Sequence, residues 1–122
     1  MTPAARIEQE LAAAQAAQQD NNDGKARVCA RRAVACATEA WIAQLPSLRW
    51  RGDAMAYLRK IQENVSFPPP IRQAAERLST PITSQHTAPF TTDPVADAIL
   101  IITHFSNMIS INAPDENNPA SH

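Results

Sequence analysis

Ten prolines and two glycines divide this chain of 122 residues, and no proline falls inside a run with helical spacing. Proline lacks an amide N–H and clashes with the preceding turn, so it opens or closes helices rather than crossing them. Thr2-Pro3 and Asp93-Pro94 each join a capping side chain to a first-turn proline, the signature of a helix start. The cluster Asp20-Asn21-Asn22-Asp23-Gly24 marks a turn in the long stretch before Pro46. These marks predict helices over residues 3–19, 24–44, 54–64 (capped by Asp53), 70–79 and 94–108. Residues 80–92 read as a loop. The expected fold class is all-α, an up-down bundle of five helices, four of them major. It forms a single domain over residues 1–110, with a disordered polar tail over 111–122.

Periodicity then nominates the core. Ile7, Leu11 and Ala14 are expected inward on the first helix, and Met55, Leu58 and Ile61 on the third. Ile71, Ala74, Ala75 and Leu78 follow on the fourth, and Val95, Ile99, Ile102 and Phe105 or Ser106 on the fifth. Alanine numbers 23, as many residues as Leu, Ile, Val and Phe together. Such a core is thin and alanine-lined, with closely approaching helices. Small domains bury a small share of their surface, so a homodimer is the natural remedy. The net charge of −1 argues against wholesale electrostatic binding of nucleic acid. No apolar run approaches a membrane span of roughly 18 residues, and no secretory signal opens the chain, so the expected setting is the cytoplasm.

The second helix carries the most chemistry. At 100° per residue Ala33, Ala37, Ala40 and Trp41 share one face, with Cys29 and Cys36 beside it. Arg27, Arg31 and Thr38 form a polar stripe almost opposite, and Arg32 and Glu39 a further edge. Lys25, Arg27, Arg31 and Arg32 are candidate ligand-binding residues for a phosphate or an acidic partner. The competing reading is of solvated faces with intramolecular pairs, in which a partly buried Arg32 takes a carboxylate such as Glu8. Seven helical residues rise about 10.5 Å, so Cys29 and Cys36 cannot bridge each other. They read as small buried thiols in a reducing compartment.

The segment Asn22-Asp23-Gly24-Lys25-Ala26-Arg27-Val28-Cys29-Ala30-Arg31-Arg32-Ala33 resembles the opening of the long second helix in small bacterial HEPN-like proteins. The layout is similar too, over residues 1–110: a helical hairpin with a polar loop, a shorter middle region, and a final helix after a Pro-rich loop. The resemblance implies an up-down bundle, often dimeric. Family members act in toxin–antitoxin pairs, RNA cleavage and nucleotide-related defence. The family's ribonuclease chemistry requires an Arg followed four to six residues later by His on a late helix. Before His104 those positions hold Ala98, Ile99 and Leu100; before His86, Thr80, Pro81 and Ile82. His122 has no Arg near it. No catalytic residue carries over.

Outside that motif, His104 is the one weak catalytic candidate, sharing a helical edge with Asp97, Leu100 and Asn107. Its bland reading is a surface or interface histidine. Trp41 and Trp50 flank Pro46 and are expected to cover the end of the bundle. Arg49-Trp50-Arg51 has the character of a base-stacking platform as the alternative. Metal-ligand spacing, Gly-rich phosphate loops and nucleophile motifs are all missing, so neither a metal nor a cofactor is expected. The expectation is a non-enzymatic helical module that self-associates and binds a partner protein or a nucleotide-type ligand. Its alternative is a divergent ribonuclease or toxin–antitoxin component acting on RNA through His104, with an Arg supplied across a dimer.

Overall fold

The structure, a computed structural model, describes residues 2–80 and 91–112, with side chains as far as residue 109. Its five helices are α1 (Pro3–Gln19), α2 (Asp23–Ile42), α3 (Ala54–Glu63), α4 (Pro69–Ser79) and α5 (Pro94–Asn112). The described residues contain no strand. The protein is all-α.

Short polar side chains hold four of the helix starts by accepting from otherwise unpaired amides. Thr2 Oγ1 accepts from the Ala5 amide at 3.1 Å and Asn22 Oδ1 from the Lys25 amide at 3.2 Å. Asp53 and Asp93 do the same for Ala56 and Ala96 at 3.0 and 3.1 Å. The α1–α2 turn closes through Asn21, whose φ is 59°, and through an Asn22 amide donating to the Ala17 carbonyl at 2.8 Å. This is the left-handed helix stop that asparagine tolerates. Ahead of α3, Gly52 has a φ of 126°, and a Cβ there would lie 2.6 Å from that of Ala56, so glycine is required.

α1 and α2 form a hairpin, and α2 also packs against α3 and α5; α4 packs against α3 and α5. One core joins all five helices. Its largest members are Trp41, Leu58, Ile61, Phe67, Ile71, Leu78, Ile101 and Phe105, with Ala14, Ala30, Ala37, Ala74, Ala75 and Ala98 between them. α1 buries fully only Ala14 and Ala17, while Ile7 and Leu11 are half-buried at the margin. The alanine-lined core expected from composition is realised chiefly along α2.

Three expectations need correction. Thr38 does not lie on an exposed stripe: it is fully buried, and its hydroxyl donates to the Val34 carbonyl at 2.7 Å. That local bond lets a polar residue sit inside. On α5 the inward positions are Val95, Ala98, Ile101 and Phe105, while Ile99 is 42% exposed. The same rotation buries Asp97, which pairs with Arg77 of α4: Arg77 Nη2 meets Asp97 Oδ1 at 2.7 Å, and Nε reaches both oxygens. Two residues further on, Ile99 lies on the opposite side of the helix and faces outward. Finally, α5 runs to Asn112 rather than ending near Met108, so residues 111 and 112 are helical. The rest of the expected tail and most of the expected 80–92 loop, with His86 and His122, lie outside the described residues.

Candidate functional site

The four basic residues grouped by sequence sit on two flanks of α2. Arg31 turns toward α4, where its Nε donates to the Leu78 carbonyl at 2.7 Å. Burial, and then the charge of Arg27, pull its pKa down from the usual arginine value. A guanidinium bound to an unsatisfied helix-end carbonyl is holding the fold together. Arg27 is half-buried beside it.

Lys25 and Arg32 point the other way, into an open groove between α1 and α2. Arg6, Gln9, Glu10 and Ala13 of α1 and Lys25, Cys29 and Arg32 of α2 line it, enclosing about 510 Å³. Both cations are exposed. The carboxylate in this groove is Glu10, not Glu8, so the walls carry three positive charges and one negative. The floor is small and apolar: Ala13 is half-buried and Cys29 buried. Arg6 escaped sequence reasoning because it lies 19 residues before Lys25. The signal was the hairpin itself, since an antiparallel turn at residues 20–22 brings the two helices side by side.

Beyond Arg6 a more apolar cleft of about 260 Å³ continues between the helices, lined by Thr2, Pro3, Arg6, Cys36, Glu39, Ala40 and Ala43. Cys36 is a free thiol whose pKa is raised by burial, with Arg6 opposing and Glu39 and Glu10 reinforcing the shift. It is therefore protonated at neutral pH and a poor nucleophile. Cys29 is also free.

His104 sits at the edge of an aromatic cluster. Its ring lies 5.5 Å from that of Phe67, edge-on, and burial lowers its pKa below the ordinary 6.5. Asp97 does not serve it, because that carboxylate is engaged by Arg77. Trp41 is the hub, with ring centroids 5.3 Å from Trp50, 5.7 Å from Phe67 and 5.0 Å from Phe105. Trp50 is spent on this packing, and Arg49 donates to the Pro46 carbonyl at 2.7 Å. Among the described residues no group of His, Cys, Asp and Glu is arranged to hold a metal ion. No helix there is long and apolar enough to cross a membrane.

Fold and groove together define an all-α bundle with a cation-lined cleft along its first hairpin. Comparison of the chain with protein-family models, curated proteins and solved structures returns no match.

Proposed function

We propose that the chain is a non-enzymatic, HEPN-like module that self-associates and holds an anionic, nucleotide-type ligand in the α1–α2 groove. The observation that carries this reading is that Arg6, Lys25 and Arg32 line one groove together with Ala13 and Cys29. Cations at the rim suit phosphate oxygens, and an apolar floor suits a flat ring. Glu10 adds an acceptor for a ring or sugar N–H or O–H donor. Function in the reducing cytoplasm belongs to the same reading, since two free thiols line the hairpin.

Titration calorimetry with AMP, ATP and pyrophosphate tests it. A nucleotide should bind more tightly than pyrophosphate, and its affinity should fall as salt screens the rim cations. Lys25→Ala with Arg32→Ala should abolish the signal. Absence of heat from every anion at millimolar concentration would remove the groove as a ligand site.

A further inference from the structure

α3 and α4 border a second groove of about 270 Å³, lined by Gln62 of α3 and by Pro69, Arg72, Gln73 and Glu76 of α4. It holds one cation and one carboxylate, and both are half-buried. Arg72 and Glu76 stand four residues apart on one face of α4, the spacing at which opposite charges ordinarily meet. They do not pair: the only ion pair among the described residues joins Arg77 to Asp97. Two causes keep them apart. Arg72 Nε donates to the Gln62 carbonyl at 3.0 Å, which pins the guanidinium across to the end of α3, where carbonyls lack partners within the helix. A cation placed before its carboxylate is also the weaker order for such a pair.

Binding capacity is left over on both sides. The Nη donors of Arg72 meet no acceptor among the described residues, and the Glu76 carboxylate meets no donor there. Half-buried charges without partners are costly, and a ligand that pairs them recovers the cost. We infer that this groove binds a free α-amino acid, with its carboxylate on the Nη donors of Arg72 and its ammonium on Glu76. Charge chooses the ligand. A simple anion would satisfy Arg72 and crowd Glu76, while a simple amine would do the reverse. A zwitterion answers both and adds no net charge.

Size and reach agree. Four helical residues rise about 6 Å, so a carboxylate and an ammonium borne on one carbon can bridge the two side chains. The groove encloses about half the volume of the one between α1 and α2. It falls below the roughly 300 Å³ at which pockets begin to hold drug-sized molecules, which leaves room for one small amino acid. Pro69 is its one apolar liner, so a short side chain such as that of alanine suits it. The amides of Gln62 and Gln73 offer donors and acceptors to the same ligand. The Arg72–Gln62 bond fixes the guanidinium before the ligand arrives. None of these residues lines the cationic groove, so this site is independent of nucleotide binding there.

Two-dimensional NMR of the full chain tests this, with the side-chain amides of Gln62 and Gln73 followed during titration with L-alanine. Their signals should shift and saturate, with a Kd of about 1 mM for so open a site. Propionate and ethylamine each carry one of alanine's two charges, and each should bind about tenfold more weakly. Glu76→Gln should weaken L-alanine about five- to tenfold and leave propionate no weaker. The Glu76 side chain makes no hydrogen bond or ion pair among the described residues, so this variant keeps the fold. Arg72→Lys should weaken L-alanine and propionate alike. Should loss of the bond to the Gln62 carbonyl unfold that variant, Glu76→Gln decides alone. The absence of a saturable shift up to about 50 mM L-alanine overturns the site. So does propionate binding as tightly as L-alanine, or L-alanine affinity unchanged in Glu76→Gln.

Discussion

His104 shows how little a residue type says before its surroundings are known. Alone in a late helix it invited a chemical role, yet its ring rests edge-on against Phe67 and burial favours the neutral form. The sign of the resulting pH effect follows from linkage. A base whose folded pKa lies below its unfolded value binds fewer protons when folded. Its neutral form is accommodated fully above the unfolded value of 6.5, and stability is lost as pH falls from there toward the folded pKa. Urea midpoints measured between about pH 8 and pH 5 should therefore decline more steeply for the wild type than for His104→Gln. Equal slopes would show that His104 is solvated in the folded state. Asp97 teaches the same lesson from the other side. Helical spacing sets it on one edge with His104, two turns later, yet Asp97 is buried and its carboxylate is held by the bidentate bond to Arg77, remote in sequence.

At the scale of the element, legibility followed local chemistry. All four side-chain caps lie at turn or proline boundaries that the sequence marks, and the α4 stripe Ile71, Ala74, Ala75 and Leu78 is buried as its spacing predicts. α5 was harder because it is apolar on nearly every side, so periodicity alone does not select a face. In the structure Val95, Ala98, Ile101 and Phe105 face the core, and Asp97 beside them pairs with Arg77 of α4. Thr38 was misplaced for a related reason, since helical angles locate a residue on α2 but not the helices that cover that flank. The alanines of α2 give the element-scale prediction. Ala30 and Ala33 are fully buried where helices approach closely, so extra side-chain volume has nowhere to go. Ala30→Leu should destabilise the protein by about 1–3 kcal/mol despite leucine's good helix propensity, through overpacking. Chemical denaturation checks this, and a neutral or stabilising result would mean that the α2 seam is loosely packed.

For the whole molecule, the all-α architecture was legible because prolines and caps bound every helix, whereas the groove was legible only by half. Lys25 and Arg32 are close in sequence to Arg27 and Arg31, but the bundle sends the two pairs to opposite flanks of α2 and adds Arg6 from another helix. The division predicts two kinds of arginine. Arg31→Ala removes a charge-assisted bond to the Leu78 carbonyl and leaves a helix end unsatisfied, which should cost about 1.5–3 kcal/mol of stability. At a temperature where that variant remains folded, its affinity for a nucleotide should equal the wild type's. Arg6→Ala is the converse. Arg6 is exposed and forms no ion pair among the described residues, so its removal should shift stability by no more than about 0.5 kcal/mol. It should nevertheless weaken nucleotide binding by roughly three- to tenfold, the effect of losing about 1 kcal/mol from one solvent-exposed ionic contact. Arg27→Ala should leave affinity unchanged. Calorimetric titration of the three variants beside their denaturation curves separates the possibilities. If Arg27 or Arg31 lowers affinity as much as Arg6, the ligand lies on the α4 flank of the helix, and the α1–α2 groove is only the seam of a hairpin.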